Sequence, residues 1–226
     1  MNTEKARFNM VEQQIRPWQI VDTKVLDLLY VVKREQFVPA SMTGFAFADI
    51  ATPLRAGQKG EAAAHMFPPK VEARVLQALA MQRHEKVLEI GTGSGYMAAL
   101  LGAHADHVWS IEIDPEQADA ARASLDRAGV TNVLVETADG LSELPAAIKA
   151  KAPFDVIMIS GGVSAVPKNL LSLLKSGGRL FSFVEASPTM QAQLITRVGD
   201  DFKVKVLFET VVDRLLEPTP ASTFVF

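Results

Sequence analysis

Three glycines spaced two apart, Gly91, Gly93 and Gly95, close the short apolar run in VLEIGTGSGY and lead into MAALLGAHA, a stretch with the composition of a helix. A buried strand that turns on glycines into a helix brings backbone close to a ligand and aims free N–H groups at it. That is the chemistry of a nucleotide-binding crevice. The spacing then selects among nucleotides. A dinucleotide fingerprint wants a glycine or alanine five residues after its first glycine, whereas here the third glycine comes after four and the fifth position holds Tyr96. S-adenosylmethionine fits this spacing better than NAD, and the carboxylate of its methionine part suits the free N–H groups of the turn.

Glu112 stands 21 residues after Gly91, at the expected carboxyl end of the next strand, where an acid can accept hydrogen bonds from both ribose hydroxyls. Asp114 reads as structural: Pro115 behind it and Gln117 three residues on make it a helix N-cap. Asp139-Gly140 has two readings, a turn dipeptide or an acceptor for the adenine amino group at the same strand-end edge. Ser160-Gly161-Gly162 leaves room for a methyl acceptor, or simply turns the chain. The histidines, His65, His84, His104 and His107, have neither metal-ligand spacing nor an evident carboxylate partner, so no metal site is expected. His65 alone is kept as a catalytic candidate, because it lies in a candidate lid. No Ser–His–Asp set, HExxH or Walker-type lysine is present.

These residues need elements to position them. Residues 5–38 show helical periodicity broken at Arg16-Pro17, with Asp22 as the N-cap of a second helix. The segment 55–69, rich in alanine and glycine, reads equally as a lid or an ordinary surface connection. A helix is expected at 71–81. Strands at 87–90, 108–113, 133–136, 155–159 and 179–184 then alternate with helices at 97–105, 115–128, 144–149 and 167–174. Such βα alternation predicts a doubly wound, mostly parallel, Rossmann-like α/β sheet with its ligand at the carboxyl ends of the strands. Residues 189–198 are expected to form a helix and 202–212 a strand-rich closing segment, for a seven-stranded sheet with an antiparallel C-terminal strand.

The chain has 226 residues, 48% of them apolar, enough for one domain: N-terminal helices and candidate lid over 1–70, α/β core over 71–184 and closing elements over 185–226. A net charge of -3 carries no broad basic footprint for nucleic acid or an anionic membrane. The absence of cysteine excludes disulfides, thiolate metal sites and cysteine nucleophiles. No apolar signal core or membrane-length run occurs, so a cytoplasmic protein is expected.

With those residues in hand, the sequence resembles the protein-L-isoaspartate O-methyltransferases. The likeness runs in unbroken order from Asn9 to Val184: MVEQQI, VLDLLYVVKREQFVP, FADIATPLRAGQ, VLEIGTGSGY, SIEI, ADG, PFDVIMIS and LLKSGGRL. It implies S-adenosylmethionine as cofactor and isoaspartyl residues of damaged proteins as substrate. It places cofactor contacts at Gly91, Thr92, Gly93, Ser94, Gly95, Glu112, Asp139 and Gly140. With Glu89, Ile113 and Ser160 at the same strand ends, these make up the expected cofactor-binding set.

Two departures fall on the acceptor side. The family's Thr-Ile-Ser-x-Pro run, with its active-site serine, is here KGEAAAHMFPPK, with Phe67 or a neighbour where the serine belongs. A Phe-Val-Pro-Leu-like run near the end is replaced by Asp213-Arg214-Leu215-Leu216. A carboxylate acceptor, with a pKa of about 4, is already a nucleophile at neutral pH and requires no base. A different, small-molecule acceptor that must lose a proton would need one, with His65 the candidate; a cofactor-binding protein without turnover is the third alternative.

Overall fold

The computed structural model describes residues 2–54 and 64–216. Most of the lid expectation, 55–63, therefore lies outside the described residues. The N-terminal layer is helical: α1 (Thr3–Asn9), a π-helical continuation Met10–Ile15, a 3-10 turn Arg16–Trp18, and α2 (Thr23–Val31). The break expected at Arg16-Pro17 is where the helix tightens, and Gln19 follows with φ 62°. Asp22 caps α2 as expected, its carboxylate accepting from the Lys24 N–H at 2.9 Å.

Two two-residue strands, β1 (Thr52–Pro53) and β2 (His65–Met66), pair antiparallel and bracket the 55–63 segment. The helix α3 (Pro69–Leu79) starts on proline, whose fixed φ and missing N–H cost nothing in a first turn. The α/β core follows: β3 (Lys86–Ile90), α4 (Tyr96–Gly102), β4 (His107–Glu112), α5 (Pro115–Arg127), β5 (Val133–Thr137), α6 (Ala146–Lys149), β6 (Phe154–Val163), α7 (Lys168–Ser172) and β7 (Leu174–Ala186). Last come β8 (Thr189–Val198) and β9 (Asp201–Thr210).

The large sheet has the order β5-β4-β3-β6-β7-β8-β9. Strands β5 to β7 are parallel, and β8 and β9 extend the sheet antiparallel. Along β3 the buried residues alternate between faces: Val87 joins the N-terminal helices, α3, α4 and α5, whereas Leu88 and Ile90 join α6 and α7. Both faces are covered, which is why these strands read as apolar runs rather than as polar–apolar alternation. The chain leaves β3 for β4 and then β5 on one side, and crosses back from β5 to β6 on the other side of β3. A crevice therefore opens at the carboxyl end of β3.

The expected helix at 189–198 is corrected: these residues form β8. Met190 and Ala192 are buried on one face of the sheet with Leu194 half-buried beside them, whereas Ile195 is buried on the other face. Burial on both faces of one regular strand gave the segment a helix-like spacing. Pairing to β7 on one side and β9 on the other overrides the helical preference of its Gln, Ala and Leu residues.

Candidate functional site

The turn after β3 continues the sheet before it leaves it, the Gly91 N–H donating to the Ile111 carbonyl at 2.8 Å. Gly91, Gly93 and Gly95 take φ of 90°, 53° and 82°, left-handed values that side chains with a Cβ rarely adopt. Gly95 also lies against α5, where a Cβ would come within 3.3 Å of the Ala121 carbonyl. The Ser94 hydroxyl accepts from the N–H of Tyr96, the first residue of α4, at 3.1 Å, and Ser94 lines a small hollow with Gly91, Thr92 and Gly93.

Glu112, the last residue of β4, grips this turn. Its carboxylate accepts from the Gly93 N–H at 2.9 Å and from the Asp114 N–H at 3.2 Å. Asp114 caps α5 as expected, accepting from the Glu116 N–H at 3.0 Å. Gln117 does not complete a capping box. Its amide donates instead to the Gly93 carbonyl at 2.8 Å, so Glu112 and Gln117 hold the Gly93 residue by its N–H and its C=O.

Beneath the turn lies Glu89, fully buried and absent from the cavity wall. It accepts from the Ser110 hydroxyl at 2.6 Å and the Ser160 hydroxyl at 2.7 Å, and Ser110 in turn meets the Thr92 hydroxyl at 2.6 Å. Burial pushes the Glu89 carboxyl up to about 7, against the opposing pull of its two serines. Of the expected cofactor contacts, Glu89 and Thr92 thus support the turn from behind, through hydroxyls on β4 and β6.

A cavity of about 360 Å³ opens above, lined by Gly91, Gly93, Glu112, Ile113, Ser160 and Gln117 on one side. Leu54, His65, Phe67 and residues 213–216 form the other. Asp139 and Gly140 line a smaller adjoining hollow with Ile113 and Glu112. The Asp139 carboxylate is engaged in its own turn, accepting from the Leu141 and Ser142 N–H groups at 3.0 and 3.1 Å and from the Ser142 hydroxyl. Burial alone would raise its pKa, but these donors hold it below the usual carboxylate range. Gly140 lets Ile90 approach closely, since a Cβ would come within 2.8 Å of that side chain.

Sequence reasoning set both segments of the far wall on the acceptor side but missed the contact that joins them. His65 was read as lacking a carboxylate partner. The structure corrects this: its Nδ1 lies 2.8 Å from Oδ2 of Asp213, 148 positions away. Asp213 is placed by β6, the Gly162 N–H donating to the Asp213 carbonyl at 2.8 Å and the Leu215 N–H to the Gly162 carbonyl at 2.9 Å. Phe67 is buried and stacks on Phe183 with ring centroids 5.2 Å apart. The two segments that depart from the family pattern therefore meet each other. No local pattern in either segment signals the other.

The model of the protein-L-isoaspartate(D-aspartate) O-methyltransferase family matches residues 5–214. A protein-L-isoaspartate O-methyltransferase 2 from Marinobacter nauticus is 42% identical over 195 residues, covering 86% of this chain and 84% of its own. A protein-L-isoaspartate O-methyltransferase 1 from Syntrophobacter fumaroxidans is 40% identical over 180 residues, 80% of this chain and 79% of its own. Among solved structures, a protein-L-isoaspartate O-methyltransferase superposes with a TM-score of 0.79 at 23% identity, over 95% of this chain and 66% of that one. A Plasmodium falciparum chain in complex with S-adenosyl-L-homocysteine does so with a TM-score of 0.75 at 18% identity, over 96% and 99%. These superpositions support the Rossmann-like fold, and the sequence matches decide the family: the chain belongs to the protein-L-isoaspartate(D-aspartate) O-methyltransferases.

Proposed function

We propose that this chain methylates the free carboxylate of isoaspartyl residues in damaged proteins and peptides, using S-adenosylmethionine. Family membership gives the reaction class, an S-adenosylmethionine-dependent O-methyltransferase. The observation that carries the site assignment is the Glu112 carboxylate, fastened at 2.9 Å to the glycine turn at the carboxyl edge of the sheet.

The residues present suit the cofactor. Gly91 has φ 90°, a conformation that residues with a Cβ rarely adopt, and its missing side chain leaves room at the floor, where a Cβ would come within 2.8 Å of the Leu215 side chain. Glu112 would accept from the ribose hydroxyls with the lone pairs its two N–H donors leave. Ile113 supplies an apolar wall for the base, and Asp139 with Gly140 forms the edge of that subsite. Ser160 borders the acceptor side, its hydroxyl turned back to Glu89. The bound cofactor supplies an electrophilic sulfonium methyl.

The chain's own task is then to align the acceptor and keep water away. Leu54, Phe67, Leu215 and Leu216 give the far wall an apolar surface for this. A carboxylate with a pKa of about 4 arrives ionised, so no proton has to be removed from it. We further propose that the setting is repair of cytoplasmic proteins; among the described residues no helix is long and apolar enough to cross a membrane.

Transfer of a labelled methyl group to an isoaspartyl peptide, beside its normal aspartyl twin, tests the reading. Label confined to the isoaspartyl peptide is expected. Cofactor binding by calorimetry with no label on either peptide would overturn the substrate assignment while leaving the cofactor assignment standing.

A further inference from the structure

A carboxylate acceptor needs no base, yet the cavity wall carries one already oriented. A carboxylate can only accept, so when the ring is neutral the His65 proton sits on Nδ1, facing Asp213 at 2.8 Å, and the lone pair is on Nε2. Backbone holds each partner in place. The Leu54 N–H donates to the Ala64 carbonyl at 2.8 Å beside His65, and Asp213 is fixed on Gly162 at 2.8 Å. The side chains are 28% and 39% exposed, a setting in which an ion pair contributes at most ~1 kcal/mol to stability. Tying the two segments together is a weak reason for the pair. Its place in the wall beside Gly91 and Ser160 is a stronger one.

We propose that His65, oriented by Asp213, is a general base for a hydroxyl acceptor, giving the site a second activity: O-methylation of a phenol. This rests on the S-adenosylmethionine reading of the cavity. A phenol, with a pKa of about 10, stays protonated at neutral pH and gains from a base where a carboxylate does not. The acceptor oxygen forms the bond to the methyl carbon, its proton passes to Nε2, and the electron pair of the broken carbon–sulfur bond stays on sulfur. The Asp213 carboxylate stabilises the resulting imidazolium, which returns the proton to water. Leu54, Phe67 and Leu215 suit a flat apolar ring. Among the described residues, the other charged groups lining the cavity are Glu112, Asp114 and Arg214, the last paired with Glu185 at 3.2 Å.

The test uses the full chain saturated with S-adenosylhomocysteine and 4-nitrophenol as the probe, because its phenolate absorbs visible light. Below the pKa of the free probe, binding to the wild-type protein should raise the phenolate band as the proton moves to His65. His65→Gln should bind the probe without that rise, and Asp213→Asn should show a smaller one. With S-adenosylmethionine, methyl transfer to phenol itself, which stays protonated at neutral pH, should fall by about 10²–10⁴-fold in His65→Gln, with loss of the limb that rises with pH. Failure of the wild-type protein to bind the probe, or binding without phenolate, overturns the proposal, and so do variants that lose only melting temperature. Labelling of the isoaspartyl peptide by wild-type protein is followed in parallel. Labelled peptide with inert phenol removes this inference alone, whereas no cofactor binding removes the reading beneath it.

Discussion

Glu89 holds a carboxylate where water cannot reach it, and its value lies in the hydroxyls it organises: Ser110 on β4, Ser160 on β6 and, through Ser110, Thr92 in the glycine turn. The sequence shows an acid in an apolar strand next to a glycine turn, and ligand contact was the natural inference. The residue opposite it on β4 is Ser110, a pairing that only the register reveals. The place of Glu112 at the end of β4 was legible from its distance along the chain from Gly91, whereas the partners of Glu89 lie on two neighbouring strands. With its carboxyl pushed up to about 7 from an ordinary 4.5, Glu89 binds its proton more tightly folded than unfolded. Its contribution to stability is complete below pH about 4.5 and is lost as pH rises through about 7, by up to ~1.4 kcal/mol per pH unit. Glu89→Gln removes that titration. Chemical denaturation at several pH values should show the variant gaining on the wild type steadily from pH about 4.5 to 7; a pH-independent difference would mean that the carboxyl titrates normally.

Elements meet around a second buried acid. Arg34, just past α2, reaches Glu72 on α3 with both carboxylate oxygens at 2.5 and 2.6 Å, and donates to the Phe67 carbonyl at 2.9 Å. The guanidinium also lies 5.2 Å over the Tyr96 ring at the start of α4. One cation thus joins the N-terminal layer, α3, α4 and the back of the acceptor wall. Both side chains are almost fully buried, so removing Glu72 leaves the Arg34 charge without water or, among the described residues, an opposite charge, and with only the Phe67 carbonyl and the Tyr96 ring beside it. Glu72→Ala should cost about 3–5 kcal/mol in unfolding free energy, while the double replacement Arg34→Met with Glu72→Met should recover most of it. Equal losses in the single and double variants would show that packing, not the stranded charge, sets the cost. At this scale the sequence was read well wherever one periodicity ruled a segment, as in α3 and α5. It was misread at β8, where apolar residues buried on both faces of one strand imitate a helical spacing.

Across the whole molecule, βα alternation was enough to place the crevice at the carboxyl end of β3, because parallel strands with covered faces leave few other arrangements. The contact within the opposite wall was not legible. His65 and Asp213 lie 148 positions apart on segments too short to show a period, and they meet only because β6 ends where the C-terminal segment crosses. A ligand in this crevice touches the glycine turn, the end of β4 and that crossing segment together, so it should stabilise the fold as a unit. At about 100 times its Kd, S-adenosylhomocysteine should add ~2.7 kcal/mol, which for a chain of this size raises the melting temperature by roughly 5–10 °C. Gly91→Ala is the control that locates the effect. Its φ of 90° and a Cβ only 2.8 Å from the Leu215 side chain strain the turn, so the unliganded variant should melt about a few degrees lower. The decisive quantity is the shift with ligand. It should shrink sharply in Gly91→Ala at the same concentration, and an undiminished shift would place the ligand somewhere other than the crevice at the end of β3.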